Sequence, residues 1–436
     1  HGTDVKTEII AGITTFLAMA YILAVNPSYL GGIDGMSAGA VFSATAISAG
    51  IATLCMAFFA NYPVALASGM GLNAFFAFTV CGAMGYSYKV ALTAVFIEGI
   101  IFMLLSLFKF REALVNKIPS NLKFAITAGI GLFIAIIALL NANVVVASES
   151  TTVALGELSS PTVVLSLVGL LIIGALQHYK VPGGILLGIL ITWVLGIMAQ
   201  LVGWYVPNPE AGVYSVIPQF SLSSFEAPKM FQFDFGFIAK NVPAFIIIVF
   251  TFLYTDIFDT VGTLIGVAEK GKLLDQDGSL PNATGALMAD AVGTVVGACL
   301  GTSTVTSYVE SSAGVAAGGR TGLTAVTTAV LFFISLIFAP IFTSIPSFAT
   351  TPAMLYVGLL MLSSIRQVKF DGDIADAIGA FLAIIMMPLT YSIANGIMFG
   401  IVSWVILKIV TGKAKDISAV TVSYTHLRAH ETSAHL

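Results

Sequence analysis

Residues 179–189 read YKVPGGILLGI, and residues 391–401 read YSIANGIMFGI. The tyrosine and both Gly-Ile pairs fall at matching offsets, and a Trp-Val pair follows each copy. The tripeptide Ile-Pro-Ser also occurs twice, at 118–120 and 345–347, each time just before an apolar stretch. Three matches in the same order indicate that the second half of the chain repeats the first.

The apolar stretches of both halves are long enough to cross a bilayer. Of the 436 residues, 58% are hydrophobic and only 9% are charged, whereas a soluble domain carries roughly a quarter charged residues. Apolar stretches of roughly 20 residues recur about fourteen times, which predicts an all-α polytopic membrane protein. Seven spans per repeat is an odd number, so the second copy must be inverted in the membrane, as in many secondary transporters.

These repeats set the expected domain boundaries. We expect the first seven-span repeat at residues 1–210, a connecting segment at 211–242 and the inverted second repeat at 243–412. A cytoplasmic tail follows at 413–436. Its last part, 418–436, carries three of the five histidines, and we expect it not to be native transporter sequence. The alternative for these histidines is a metal-binding tail.

Lysine and arginine are divided unequally between the two sides that the span count defines. Before the tail, only Lys89, Lys229 and Lys240 fall on one side, and the others fall on the side of both termini. Because cytoplasmic loops carry the excess of positive charge, both termini are expected in the cytoplasm. The expected location is the plasma (inner) membrane, with multiple passes.

Segments 3 and 10 of the count would make poor lipid-facing helices. Residues 67–78 read ASGMGLNAFFAF, and residues 301–314 read GTSTVTSYVESSAG, in which half of the residues are serine or threonine. Each segment is third in its half, where the discontinuous helices of transporters meet at the substrate site. Irregular backbone is tolerated at that depth when it is buried in protein or lines a cavity. For segment 10 the alternative is a polar loop outside the membrane.

Carboxylates inside the spans are the strongest functional candidates, because a charge buried in a membrane is costly. Asp256 and Asp259 are one helical turn apart in span 8, residues 243–267, and Glu310 lies in segment 10. A structural, hydrogen-bonded pair is the alternative for the two aspartates. Glu98 in span 4 (residues 89–108) and Asp290 in span 9 (residues 285–300) are expected to be structural.

The chemistry of these acids suits a flat, nitrogen-rich substrate. An ionised carboxylate only accepts hydrogen bonds, so its two oxygens match adjacent N–H groups of a heterocycle. A buried carboxyl can also carry a proton, and one acid for substrate with another for the proton predicts a proton symporter. Asn73 adds an amide that donates and accepts. Phe75, Phe76 and Phe78 offer faces for stacking, or simply pack in the core.

Several long motifs, in this order, are similar to those of one known family. They are VKTEIIAGITTFLAMAYILAVNP near the start, ASGMGLNAFFAF, FLYTDIFDTVGTLIG, GTSTVTSYVESSAGV and IIMMPLTYSIANGI. Over residues 3–415 the chain resembles the nucleobase:cation symporters of the xanthine/uracil permease superfamily. It resembles most the azaguanine-like branch, which carries hypoxanthine, guanine or adenine. The uracil-type branch has Glu-His-Val-Gly-His where this chain has Asp259-Thr-Val-Gly-Thr263, and that departure favours purines.

The resemblance implies a seven-plus-seven inverted repeat with a core domain, a gate domain, and segments 3 and 10 as half-helices with short strands. It places the substrate site on Asp259, Glu310 and Asn73. With their neighbours, the residues expected to bind substrate are Glu310, Asp259, Asn73, Phe75, Thr263 and Ser307. The residues expected to couple the proton are Asp259, Asp256 and Glu310. The expected partners are a purine base, membrane lipid and a second copy in a homodimer, with no nucleic acid and no cofactor besides the coupling ion H⁺.

Other functions fit the residues less well. An anion carrier on the same architecture would place cations and helix N-termini at its site, whereas the candidates here are acids. An intramembrane aspartyl protease needs its two carboxylates to face each other, and Asp256 and Asp259 lie on one helix turn. The sequence contains no Walker-type loop, and its spans contain no Ser-His pair, so we do not expect an enzyme. The repeat and the broken segments favour alternating access over a channel.

Overall fold

The computed structural model describes residues 2–107, 120–148, 151–207, 215–217, 226–274 and 280–417. The predicted non-native segment 418–436 lies outside the described residues, as do parts of the predicted connecting segment. The first of the two Ile-Pro-Ser copies also falls outside them, except for its serine. The described chain is almost entirely helical.

The helices of the first half lie within or close to the apolar stretches of the sequence. They are α1 (Val5–Met19), α2 (Ile22–Leu30), α3 (Ala38–Ala60), α4 (Met70–Ala74), α5 (Tyr88–Leu107), α6 (Ser120–Asn141), α7 (Pro161–His178) and α8 (Gly184–Leu201). A π-helix, Phe75–Ala83, continues α4 without a break. π-Helical turns are rare in proteins overall, but those that occur are often found at functional sites.

The helices of the second half follow in a similar order, after one additional short helix at Gly236–Lys240. They are α9 (Gly236–Lys240), α10 (Val242–Gly271), α11 (Ala283–Leu300), α12 (Ser311–Ala316), α13 (Gly322–Ser335), α14 (Ala339–Phe342), α15 (Ser347–Leu362), α16 (Ile374–Leu389) and α17 (Ile393–Val410). Single 3₁₀ turns at Leu336–Phe338 and Ser363–Gln367 extend α13 and α15.

Within the described residues, eleven helical stretches are long and apolar enough to cross a membrane. Two shorter apolar helices cover Met70–Ala83 and Ile374–Leu389. The polytopic helical architecture is therefore confirmed, while the count of fourteen spans stays a prediction. The sequence did not predict the strands β2 (Val145–Ser148) and β3 (Thr152–Leu155). They pair antiparallel beyond the end of α6, and their side chains are largely exposed.

The repeated sequence motif falls at the same structural position in each half. Each copy forms the turn into the last helix of its half, and each turn contains a residue with left-handed backbone, Lys180 in the first and Tyr391 in the second. Trp193 on α8 and Trp404 on α17 are both buried. The two copies therefore specify the same helix pair twice.

The described helices pack in two groups. One group contains α1 to α5 and α10 to α13, and the other contains α6 to α8 and α15 to α17. Gly131 of α6 and Gly358 of α15 show how closely the second group packs: a Cβ added at either would lie within 2.8 Å of the other's carbonyl oxygen. Small residues permit such close backbone approach inside a membrane. We call the first group the core and the second the gate.

Ion pairs connect two helices of the gate, α16 and α17. Lys408 of α17 lies 2.9 Å from Asp373 and 3.3 Å from Asp376, and Lys413 lies 2.6 Å from Asp373. Hydrogen bonds from Lys413 and Lys408 hold the pKa of the Asp373 carboxyl well below its usual range. These contacts tie the start of α16 to the end of α17.

Candidate functional site

Two short buried strands cross at the centre of the core. Strand β1 (Leu66–Ser68) pairs antiparallel with β4 (Val305–Ser307), with Leu66 opposite Ser307. All six residues are buried. The pairing satisfies backbone groups that would otherwise be stranded at membrane depth, and it confirms the expectation of short strands in the two broken segments.

Each strand leads into a helix through a single bend. Gly69 follows β1 and donates its N–H to Thr304, and Tyr308 follows β4 and donates its N–H to Ala65, each at 3.0 Å. The Ser311 hydroxyl at the start of α12 accepts the N–H of Ala65 at 3.0 Å. The N-terminal ends of α4 and α12 are thus fixed on either side of the strand crossing.

Glu310 lies immediately before α12 and is only half-buried. Its carboxylate accepts a hydrogen bond from the Tyr21 hydroxyl at 2.6 Å. Tyr21 lies at the break between α1 and α2, so a second discontinuity of the core helices orients this acid. A short bond to an ionised acceptor is among the stronger ones in proteins, and it leaves the second carboxylate oxygen for other donors.

Asn73 lies one turn into α4 and has no exposed surface. Neither its amide nitrogen nor its amide oxygen has a hydrogen-bond partner in the described structure. Burying an unsatisfied amide costs about 1–3 kcal/mol in typical proteins. Such a group is expected where a ligand supplies the missing partner, and the predicted contact of Asn73 with substrate stays a prediction.

Asp259 lines a crevice between core and gate. The crevice is lined from the core by Gly71 and Leu72 of α4 and by Thr255 and Asp259 of α10. From the gate it is lined by Lys123, Ile126, Thr127, Ile130 and Met361. Asp259 is also close enough to Glu310 for their charges to interact. Thr263 follows one turn later on α10 and is half-buried.

Ser307 and Phe75 are packed into the core. The Ser307 hydroxyl donates to Asp290 at 3.3 Å, and Thr260 donates to the same carboxylate oxygen at 2.7 Å. Phe75 is 1% exposed and lies edge-on to Phe252, with ring centroids 4.8 Å apart. Their predicted contact with substrate stays a prediction.

Asp256 is directed away from the crevice, in contrast to Asp259. It is fully buried and faces Glu98 of α5. Glu98, which the sequence places among apolar neighbours, therefore has an acidic neighbour in the fold. The two acids of the predicted span 8 thus lie in different surroundings, one at the crevice and one inside the core.

Sequence reasoning missed three residues of this site: Tyr21, Lys123 and Thr255. Tyr21 and Thr255 are single polar groups inside spans 1 and 8, and that position was their only signal. Lys123 lies in the first turn of α6. At such a position the sequence pattern is the same whether the lysine belongs to a loop or lines a crevice. Only the packing of core against gate distinguishes the two.

The same fold occurs in solved transporters of low sequence identity. The transmembrane domain of the cyanobacterial bicarbonate transporter BicA superposes with a TM-score of 0.68 at 15% identity, covering 91% of this chain and 98% of that one. The murine anion transporter Slc26a9 gives 0.64 at 11% identity, covering 94% and 69%. These likenesses establish the inverted-repeat transporter fold.

Relatives with much higher sequence identity to this chain include three permeases. The adenine permease AdeQ of Escherichia coli is 43% identical over 422 residues, covering 97% of this chain and 91% of that protein. The guanine/hypoxanthine permease PbuO of Bacillus subtilis is 44% identical over 434 residues, covering 98% and 96%. A putative permease of Methanocaldococcus jannaschii is 46% identical over 417 residues, covering 96% and 92%.

The strand crossing and the broken segments around it fall inside one continuous family match. The model of the xanthine/uracil permeases, described as a permease family, covers residues 6–413, nearly all that the structure describes. Membership of a permease family, with permeases as relatives, indicates a transporter and not an enzyme. By this match and by its relatives, the chain belongs to the xanthine/uracil permease family.

Proposed function

We propose that this protein is a secondary active transporter that imports purine nucleobases across the plasma (inner) membrane by proton symport. The substrates are hypoxanthine and guanine, or adenine. The observation that carries the proposal is the strand crossing, with a half-buried acid, Glu310, after β4 and an unpartnered buried amide, Asn73, after β1. Two relatives above 40% identity, whose names state adenine or guanine/hypoxanthine, support the purine class.

The chemistry of a purine fits these groups. A purine ring presents adjacent N–H donors and ring-nitrogen acceptors on a flat edge, and it is uncharged at neutral pH. The free oxygen of Glu310 accepts an N–H, while the Asn73 amide donates to a ring nitrogen and accepts from a second N–H. Asp259 supports the site from the crevice and responds to protonation, with Thr263 and Asp256 on the same helix.

Transport then follows from the division into core and gate. The base enters from outside and docks at the strand crossing, where the crevice separates core helices α4 and α10 from gate helices α6 and α15. The core shifts against the gate and releases base and proton to the cytoplasm, where both termini lie. Inverted-repeat transporters work by such movements around a fixed site. A homodimer would hold the gate still in the membrane while the core moves.

An anion carrier is the second candidate, favoured by the fold of the solved relatives and by Lys123 in the crevice. A site dedicated to anions is lined by cations and helix N-termini. Here Glu310 stands directly before the N-terminus of α12, and Asp259 shares the crevice with Lys123. Two carboxylates repel an anion, so the neutral base is the better substrate.

Uptake in cells that lack their own nucleobase carriers tests the proposal. Radiolabelled hypoxanthine, guanine, adenine, xanthine and uracil are supplied separately, with and without a protonophore. We expect one of the first three to be accumulated, and the protonophore to abolish its accumulation. If no base enters although the protein reaches the membrane, the purine assignment is wrong and bicarbonate or sulfate uptake is measured next.

A further inference from the structure

Two carboxyl groups face each other inside the core, away from the crevice. Glu98 of α5 and Asp256 of α10 have no exposed surface. Each is the other's carboxyl neighbour. Apart from this mutual contact, no hydroxyl, amide or cation of the described residues bonds to any of their four oxygens.

The surroundings of this pair are apolar. Phe102 and Met103 of α5, Leu253 and Ile257 of α10, and Ala291 of α11 form one hydrophobic cluster where the three helices meet. Gly99 lets α5 approach α11 so closely that an added Cβ would lie 3.0 Å from the Thr294 methyl. Water has little access to such an interface, so it cannot solvate two charges there.

The other charged groups that reach the pair are also acids. Asp290 of α11 acts on both carboxyls, and Asp259, one turn further along α10, acts on Asp256. Asp290 differs from the pair because Thr260 and Ser307 donate to one of its oxygens. No group of three or more His, Cys, Asp or Glu among the described residues is placed to hold a metal ion. Adjacent carboxylates in an apolar site cannot both be ionised, so one of them must carry a proton.

The pair is linked to the substrate site through α10. Asp256 is buried one helical turn before Asp259, which lines the crevice. Thr255, the residue before Asp256, also lines the crevice, and its buried hydroxyl has no hydrogen-bond partner in the described structure. A shift of α10 against α5 would therefore alter the proton site and the substrate site together.

We propose that the Glu98–Asp256 carboxyl pair holds the proton that crosses the membrane with each purine base, an inference that rests on the proposed proton symport. In the loaded state both carboxyls are protonated. On the cytoplasmic side the core movement admits water to the pair, and one proton leaves to water. The pair then returns with a single proton, held in an O–H···O⁻ hydrogen bond between the two groups, until it takes up a second proton outside. Asp259 communicates the state of the pair to the bound base.

Glu98→Gln tests this assignment in proteoliposomes that contain the full chain. With an inward proton gradient of one pH unit, one-proton symport accumulates a base about tenfold. We expect the variant to accumulate no base above the outside concentration and to carry no protons inward, measured with a trapped pH dye. Exchange of labelled for unlabelled base across equal pH should persist, because exchange does not require proton release.

Two controls separate a proton site from a packing role. Glu98→Asp keeps a titratable group and should retain part of the accumulation. Ser106→Ala removes a buried hydroxyl that, among the described residues, donates to the Phe102 carbonyl within α5, and it should change neither accumulation nor exchange. A merely structural role for Glu98 would lower accumulation and exchange by the same factor, and that result overturns the proposal.

Infrared difference spectroscopy tests the pair even if Glu98→Gln fails to fold. In the wild-type protein, binding of the base should change a protonated-carboxyl C=O band that shifts in D₂O, and Asp256→Asn should remove that band. A wild-type spectrum with no such band overturns the proposal. If wild-type accumulation depends on sodium and ignores the protonophore, the proposed symport itself is wrong; if Glu98→Gln still carries protons with the base, only the pair assignment is wrong.

Discussion

The two broken segments share one architecture and differ in their chemistry. In each, a three-residue strand is followed by one bend and a helix, with β1 leading to α4 and β4 leading to α12. The first segment carries a neutral amide, Asn73, that is fully buried and has no partner. The second carries an acid, Glu310, that is half-buried and already accepts a hydrogen bond from Tyr21.

This difference follows from the cost of burying each group. An amide without partners costs about 1–3 kcal/mol, which a folded core can tolerate while the site is empty. An ionised carboxylate without partners costs far more, so Glu310 needs Tyr21 and partial access to water before any substrate arrives. The inverted repeat supplies the same backbone twice. In the proposed function, Glu310 of the second segment is the charged anchor of the base and Asn73 of the first segment is its neutral reader.

The largest effect should come from the charged anchor. Glu310→Gln replaces an oxygen acceptor by an NH₂ donor that faces the N–H groups of the base, and a hydrogen bond to a charged group contributes about 1.5–3 kcal/mol. We expect uptake to fall by about 100-fold or more at unchanged membrane level, measured as initial rates against base concentration. Glu269→Gln, an exposed acid at the end of α10, is the control; robust uptake by Glu310→Gln would make the two segments equivalent.

Asp259 stands between the two segments, since it shares a crevice with α4 and interacts electrostatically with Glu310. Asp259→Asn removes the charge and keeps the shape, so we expect base binding to survive while accumulation driven by a proton gradient falls about tenfold. The measurement is uptake across a series of external pH values, which should become flat. The exposed Asp371→Asn should keep the wild-type profile, and an unchanged profile in Asp259→Asn would remove its predicted role in coupling.

Replacing Asn73, the neutral reader, should weaken binding of the base without lowering the stability of the empty protein. Asn73→Ala removes two unsatisfied buried groups, so thermal unfolding of the purified protein should occur at the same or a higher temperature, because an unpaired buried amide destabilises the empty fold. Removing its contacts with the base should raise KM about tenfold, a change of about 1.4 kcal/mol. A lower melting temperature with unchanged KM would indicate that Asn73 serves packing and not substrate.

Sequence patterns predicted the helical membrane fold, the broken segments and the position of the repeat, because each has a local signal. Apolar length marks a span, and serine-rich or glycine-rich residues inside a span mark a break. Contacts between distant helices have no such signal. Glu98 and Asp256 are far apart in sequence, and only the packing of α5 on α10 brings their carboxyls together. The strand pair β2–β3 was missed for a different reason: the sequence pattern places Val145 and Val146 of β2 at the end of an apolar span, and β3 lies between spans.

The smallest effect should come from the group that prepares the anchor. Tyr21→Phe removes the hydroxyl that donates to Glu310 at 2.6 Å, and a carboxylate that loses one donor binds its next donor in a less fixed orientation. We expect KM for the base to rise about fivefold, roughly 1 kcal/mol. In the Glu310→Gln background the same change should add nothing, because residues that act through one contact are not additive. Tyr308→Phe is the matched control: its hydroxyl donates to the Ser68 carbonyl at 2.6 Å, so its loss should lower stability and leave the Glu310 contact intact. If Tyr21→Phe and Glu310→Gln prove additive, Tyr21 acts on the base directly, and the charged segment reads the substrate with two side chains instead of one.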